Sequence, residues 1–294
     1  MSMDFWILLT GSLAAVSCAV LGCFLILRRM ALMGDAISHS VLPGIVVAYM
    51  ISGSRDSILM LVAAAIMGLL CVFLIQWFNN RGIQSDASIG VIFTSLFAIG
   101  VVLVSLNARQ VDLDLDCVLY GEIAYTAWNT LQIGGMDLGP RSVWLLGGTL
   151  LLVLTVIGLF YKQFKLCAFD PMLALALGIP AALFHYLLMG LVSVATVSSF
   201  ESVGAILVVG LLVIPPSTAY LLTDRLGAMI LISAACGVAS TVLGFALAVW
   251  LDASIAGCIV AAAAILFAVT FLLSPKHGLL FARLRRTRLS RSTA

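Results

Sequence analysis

A carboxylate and an imidazole stand four residues apart in the otherwise apolar segment RRMALMGDAISHSVLPGIVVAYM, residues 28–50. They are Asp35 and His39, and residues at positions i and i+4 share one face of a helix. A carboxylate oxygen and a neutral imidazole nitrogen together are ligand chemistry for Mn²⁺, Fe²⁺ or Zn²⁺. The alternative is a hydrogen-bonded pair that only locks helices together. The spacing alone leaves both interpretations open.

The depth of the pair within this segment favours a functional role. If a membrane helix enters near Ala31, a rise of about 1.5 Å per residue puts Asp35 about 6 Å and His39 about 12 Å into the bilayer. A charged Asp inside a bilayer costs roughly 2.5–3.5 kcal/mol, and such groups mark ion pathways by default. Pro43 cannot donate to the carbonyl of His39, so a bend is predicted there, next to Gly44.

Other polar and helix-breaking residues allow two interpretations each. His185 is either a metal ligand or a packed interfacial histidine. Glu201, in VSSFESVG, is either part of an outer gate or a solvated turn residue. Pro215 and Pro216 predict an interruption of their helix, which would line a cavity or would only kink a packing helix.

A short helix is predicted outside the membrane, within KLCAFDPMLALALGIP, residues 165–180. Its markers are an N-capping acid, a proline at the first helical position and a glycine at the stop. The helix, 171–177, is too short to span a bilayer, and its apolar face calls for a partner groove. The alternative is a helix that lies on the membrane surface. The residues of interest are Asp170, Pro171, Leu173, Leu175 and Gly178.

The composition places these residues in a membrane protein. The 294 residues are 63% hydrophobic and only 10% charged, whereas soluble domains carry about 25% charged residues. The apolar runs are continuous, which indicates helices and excludes the alternating pattern of a strand barrel. We therefore predict an all-α polytopic protein with about nine spans, at about 5–27, 31–52, 58–78, 88–106, 143–161, 181–200, 203–222, 228–250 and 254–273.

The charge distribution predicts an external N-terminus and a cytoplasmic C-terminus. In that orientation most of the 15 lysines and arginines lie on inner segments, and only Arg55, Arg109 and Arg141 fall outside. The run 5–27 is interpreted as a span and not as a cleavable signal, because no basic region precedes it. The 7 cysteines form no CxxC pair, which argues against a disulfide framework or a zinc knuckle.

Two longer segments lie outside the spans. The outer stretch 107–142 is acidic, and it is either a solvated cap or a docking surface for an extracytoplasmic partner. The tail 274–294 is basic and predicted to be cytoplasmic, where contact with anionic lipid is favoured over binding of nucleic acid. We find no soluble domain and interpret residues 1–294 as one domain.

The order of five segments resembles the metal-importing ABC permeases, the membrane subunits that import Mn²⁺, Zn²⁺ or Fe²⁺ in bacteria. The likeness covers nearly the whole chain. It implies a type II importer fold, like that of the vitamin B12 and siderophore permeases, in the bacterial inner membrane. The segments are RRMALMGDAISHSVLPGIVVAY, SDASIGVIFTSLFAIGVVL, DLDCVLYGEI, FDPMLALALGIP and VGAILVVGLLVIPPSTAYLLT.

The resemblance also implies partners and roles. Two permease subunits, alike or different, would sit on two cytoplasmic ATPases, and an extracytoplasmic solute-binding lipoprotein would deliver the metal. The helix 171–177 matches the coupling helix that seats on the ATPase. Asp35 and His39 match polar positions that would line the pathway and hold the metal transiently. The acidic run DLDLD favours Mn²⁺ or Fe²⁺ over Zn²⁺.

The chain is not predicted to be an enzyme or to hold a permanent cofactor. It has no phosphate loop of the GxxxxGK[ST] type, so ATP would be hydrolysed on the partner. An intramembrane enzyme would need a nucleophile or an activated water near the pair, and no serine motif or HExxH is present. The remaining alternative is an ion-driven secondary carrier or channel. Paired broken helices in two inverted halves, the mark of many carriers, are not found.

Overall fold

The computed structural model describes residues 3–52, 57–107, 123, 130–133 and 136–274. Within this part of the chain, nine helices are long and apolar enough to cross a membrane, as the sequence predicted. The spans are Met3–Leu27, Leu32–Ser52, Val62–Asn80, Ser85–Leu106, Arg141–Leu159, Ala181–Phe200, Ala205–Leu222, Leu226–Leu251 and Ile255–Leu273.

The individual helices and strands follow the chain in one order. The first five helices are α1 (Met3–Leu27), α2 (Leu32–Ser40), α3 (Leu42–Ser52), α4 (Ser57–Asn80) and α5 (Ser85–Asn107). Two short strands follow, β1 (Thr130–Ile133) and β2 (Met136–Pro140). The remaining helices are α6 (Arg141–Leu159), α7 (Tyr161–Phe169), α8 (Pro171–Ala176), α9 (Ala181–Val203), α10 (Ala205–Leu222), α11 (Leu226–Leu251) and α12 (Ile255–Leu273).

Helix α1 lies at the centre of the described bundle. It packs against α6, α9, α10 and α11, and its side chains from Ala14 to Leu25 are almost all buried. A Cβ at Gly22 would collide with the Leu212 carbonyl and lie 2.7 Å from Pro216 Cγ, so only glycine permits this approach of α1 to α10. Small residues at such contacts are how membrane helices gain close van der Waals packing.

Exposed large apolar side chains are concentrated on the helices around this centre. They include Val102 on α5, Leu151 on α6, Leu231 on α11 and Ile265 on α12. In a soluble protein such surfaces would signal aggregation, but in a bilayer they face a solvent as apolar as themselves. This arrangement agrees with the membrane interpretation of the composition.

Helix α10 runs without interruption through Pro215 and Pro216, so the predicted interruption is wrong. Both prolines are buried, and the hydroxyls of Ser217 and Thr218 donate to the carbonyls of Val213 and Ile214 one turn earlier. Neighbouring helices and hydroxyl side chains are known to let prolines persist inside membrane helices.

A two-stranded antiparallel hairpin, β1–β2, forms the end of the predicted outer stretch. The sequence predicted only helices, so this hairpin was not expected. The hairpin lies on the first span, where Gly139 is in contact with the ring of Trp6. The acidic residues 112, 114, 116 and 122 of this stretch and the tail beyond Ser274 lie outside the described residues.

Candidate functional site

The second span is divided at Val41 into α2 and α3. The division falls just before Pro43, where the sequence predicted a bend, because Pro43 has no N–H for the carbonyl of His39. The helical backbone hydrogen bonds resume with the Ile45 amide, which donates to the Val41 carbonyl at 3.1 Å. The polar pair is therefore carried by a short helix, α2, after which the helical hydrogen bonds are interrupted while the backbone of Val41 stays helical, with φ −71° and ψ −27°.

Asp35 and His39 lie side by side on α2. The distance from His39 Nε2 to Asp35 Oδ1 is 3.4 Å, and the two side chains are 31% and 39% exposed for His39 and Asp35 respectively. Their neighbours Ile37, Ser38 and Ser40 are buried. One face of α2 is thus buried in the bundle. The carboxylate and the imidazole lie on the partly exposed side of α2, which we call its open edge.

The rest of α2 is well anchored. It packs against α4, α5, α9 and α10. Within the helix, Ser38 Oγ donates to the Gly34 carbonyl at 2.8 Å and Ser40 Oγ donates to the Ile37 carbonyl at 3.0 Å. These bonds satisfy the buried hydroxyls locally, so Asp35 and His39 are the polar groups of α2 left for contact with a ligand.

Two aromatic rings of α5 flank the imidazole. The ring centroid of His39 lies 6.0 Å from that of Phe93 and 5.5 Å from that of Phe97, the second in an edge-to-face arrangement. Neither contact was predicted from the sequence. The only signal was their spacing of four residues on the same predicted span, which places them on one helix face.

The pair does not form a closed metal site within the described part of the chain, where no group of three or more His, Cys, Asp or Glu side chains comes together. Two protein ligands leave most positions of a divalent ion open. Such a site suits an ion that passes, and a tightly held structural ion would require further ligands.

The two other candidate residues are His185 and Glu201. His185 Nδ1 lies 3.2 Å from Arg28 Nη1, which agrees with the packed interfacial histidine of the two alternatives. Glu201 belongs to the last turn of α9, just before Gly204. The side chain of Glu201 lies outside the described part of the molecule, and its role in an outer gate stays a prediction.

The short helix predicted from its markers is present as α8. Asp170 accepts from the amides of Met172 and Leu173 at 3.1 and 3.0 Å, and Pro171 occupies the first position. At the other end Gly178, with φ +78°, and Ile179 donate to the carbonyls of Leu175 and Ala174 in a Schellman arrangement. The helix ends one residue earlier than predicted because Leu177 serves as its C-cap.

One side of α8 is unpaired and apolar. Ala174 is fully buried and attaches the helix to the bundle. Met172 and Leu175 are 76% and 56% exposed, and Leu173 and Leu177 are exposed as well. The described chain therefore carries a compact apolar projection outside its spans.

In the described part of the chain, nine helices long and apolar enough to cross a membrane, with a short helix projecting outside them, define a polytopic membrane protein. The ABC 3 transport family matches residues 2–274, and the chain belongs to this family. The resemblance drawn from the sequence segments, to a metal-importing ABC permease, is thereby confirmed. The chain is a multi-pass permease subunit of the bacterial inner membrane.

Individual relatives agree with this membership. The chain is 49% identical over 294 residues, all of both chains, to the manganese transport system membrane protein MntD of Bacillus subtilis. It is 41% identical over 277 residues, 94% of this chain and 75% of the relative, to the zinc transport system membrane protein TroD of Treponema pallidum. A solved structure of PsaBC from Streptococcus pneumoniae in complex with Fab superposes with a TM-score of 0.80 at 32% identity, covering 96% of each chain.

Proposed function

We propose that this permease imports a divalent transition metal through a pathway lined by Asp35 and His39. The observation that supports this most is the placement of the two side chains, 3.4 Å apart on the open edge of a divided membrane helix. A carboxylate in a membrane span is costly and is retained where an ion needs it. The packing of α2 against α4, α5, α9 and α10 leaves the pair on the partly exposed side of the helix.

Manganese is the favoured cargo, with zinc as the second candidate. An oxygen and a nitrogen donor suit both ions, so the donor set alone does not choose between them. The relatives MntD and TroD are named for manganese and zinc respectively, and MntD is the more similar of the two over the greater length. Iron, which the acidic outer run also favoured, stays a prediction.

A second permease subunit would complete the pathway. Asp35 and His39 supply two ligands, and both side chains are partly exposed on the single chain. A second subunit facing the open edge of α2 would exclude lipid from the pair and could add the missing oxygen ligands. The two subunits are either identical or homologous.

Energy would come from a cytoplasmic ATPase dimer docked on α8. The apolar surface of Met172, Leu173 and Leu175 is the kind of side-chain set that fits a hydrophobic groove. The capped ends of α8 make it a rigid projection that can transmit force. On the outer side, a solute-binding lipoprotein would deliver the metal to the region of the β1–β2 hairpin.

The test is ATP-driven uptake by proteoliposomes that contain the full chain, its partner permease where that differs, and the ATPase. Asp35→Asn and His39→Gln are expected to reduce Mn²⁺ uptake to background, because the first removes the negative charge of the carboxylate and the second removes the imidazole nitrogen. Asp86→Asn, an exposed acid at the start of α5, is the matched control and should retain uptake. Normal uptake by both site variants would refute the pathway role.

The same vesicles separate the cargo and the energy source. Mn²⁺, Zn²⁺ and Fe²⁺ are supplied in separate experiments, and the highest ratio of rate to half-saturating concentration identifies the cargo. A proton gradient is imposed on vesicles that lack the ATPase. Uptake under that condition would replace the importer with an ion-driven carrier or channel.

A further inference from the structure

Arg28 contacts the segments on both sides of α8. Its Nη1 lies 3.2 Å from Nδ1 of His185 on α9, and its Nη2 donates to the carbonyl of Cys167 on α7 at 3.2 Å. Cys167 lies shortly before α8 in the chain, and His185 lies shortly after it. A single guanidinium therefore joins the segment that enters the projecting helix to the segment that leaves it.

The chemistry of the three groups fixes their roles. A guanidinium only donates hydrogen bonds, so Nδ1 of His185 accepts and the ring proton is on Nε2. That Nε2 atom is buried and has no hydrogen-bond partner among the described residues. Burial lowers the pKa of the Arg28 guanidinium. A half-buried cation with two neutral acceptors depends on both bonds for its stability, because losing one leaves buried polar groups unpaired.

The position of Arg28 also connects it to the site helix. Arg28 directly follows α1, and the next residue, Arg29, has φ +58°. The amides of Arg29 and Met30 donate to the carbonyls of Ile26 and Leu25, each at 2.9 Å, so α1 ends in a Schellman motif. Helix α2, which carries Asp35 and His39, starts at Leu32. The guanidinium is thus attached to the turn from which the site helix departs.

We propose that Arg28 is a positioning residue that links movement of α8 to the turn between α1 and α2. The proposal rests on the functions proposed above for α8 and for the Asp35–His39 pair. A displacement of α8 by the ATPase carries α7 and α9 with it, and the two hydrogen bonds transmit that displacement to Arg28. The start of α2 then moves relative to α5, which changes the surroundings of the pair.

The experiment compares Arg28→Lys with Arg29→Lys in the reconstituted full complex. Both variants keep the positive charge, but only Arg28→Lys loses the planar fork that reaches two acceptors. Arg28→Lys is expected to copurify with the ATPase at wild-type yield and to hydrolyse ATP. The Mn²⁺ transported per ATP hydrolysed should fall by about fivefold or more, the range of a typical coupling between sites. Arg29→Lys should match the wild type.

The histidine supplies a second set of variants. His185→Asn presents an amide oxygen near the position of Nδ1 and should preserve the transport-to-hydrolysis ratio, whereas His185→Leu should lower it as Arg28→Lys does. The double variant Arg28→Lys with His185→Leu should be no worse than the poorer single variant, because both remove one contact.

Each outcome supports or overturns the link. A wild-type ratio in Arg28→Lys or in His185→Leu overturns it. Loss of ATPase copurification as the main effect of Arg28→Lys also overturns it, because Arg28 would then only support the structure. Failure of the proposed function is distinguishable, since the wild-type complex itself would then show no ATPase binding or no ATP-driven uptake.

Discussion

His39 is held between a carboxylate on its own helix and two aromatic rings on another. Asp35 is one turn earlier on α2, and Phe93 and Phe97 approach from α5. The edge-to-face contact with Phe97 packs one side of the imidazole against α5. We expect this packing to set the orientation of the imidazole ring, so the geometry that His39 offers to an ion depends on a residue that cannot bind metal.

Replacing Phe97 by Leu should weaken metal binding without removing transport. An aromatic pair contributes about 0.5–1.5 kcal/mol beyond burial, which corresponds to a rise in the apparent KM for Mn²⁺ of roughly 2- to 12-fold. The maximal rate should change little, because both ligands remain. The measurement is the concentration dependence of ATP-driven uptake. Ile99→Leu, an exposed apolar change on the same helix, is the control, and equal KM values for the two variants would contradict the prediction.

Contacts within a helix could be predicted from the sequence, and contacts between helices could not. The approach of Asp35 to His39 follows from four-residue spacing alone. The contact of Phe97 with His39 depends on how α2 and α5 pack, and spacing along the chain carries no information on that. Arg28 and His185 are 157 positions apart in the chain, so their hydrogen bond could not be predicted from the sequence either.

Helix α8 shows which features of an element are encoded locally. Its cap, its first residue and its stop were predicted from Asp170, Pro171 and Gly178, because each acts through its own backbone or its nearest neighbours. The prolines of α10 show the opposite case. A proline removes one helical hydrogen bond, but the hydroxyls of Ser217 and Thr218 and the packing against Gly22 preserve the helix. That compensation comes from tertiary contacts.

The cap of α8 should affect docking of the ATPase. Asp170→Ala removes the acceptor of two amide hydrogen bonds, which costs about 1 kcal/mol of helix stability and should weaken ATPase binding roughly fivefold. Asp170→Asn keeps an oxygen acceptor and should bind as the wild type does, since Asn caps as well as Asp. The measurement is a titration of the detergent-solubilised permease with the ATPase. Equal affinity of the Ala and Asn variants would show that the cap does not matter for docking.

On the scale of the whole molecule, composition predicted the membrane class and the nine spans because the apolar runs are long and continuous. The orientation is a separate inference from the positive charges. One anchor at the predicted inner surface is visible where Arg81 lies 5.6 Å from the ring centre of Trp77, since both residue types favour the membrane interface. The hairpin was not predicted, because its two strands are too short to give a periodic signal.

Reporter fusions test the orientation directly. Alkaline phosphatase needs an oxidising compartment, so it should be active when inserted in the outer stretch 107–142 and inactive when fused to the tail. A fluorescent protein on the tail should be bright. Fusions at Gly82, in the turn between α4 and α5, are the internal control and should behave like the tail. The reverse pattern of activities would invert the whole topology.

The enclosure of α1 has a consequence for biosynthesis. Its packing partners α6, α9, α10 and α11 are all encoded much later in the chain, the last of them ending at Leu251. During synthesis the packing surface of α1 around Gly22 therefore stays in contact with lipid. It is buried only after most of the polypeptide has left the ribosome. Maturation of this permease should be slow and should depend on its final third, because loops this long delay the closing contacts.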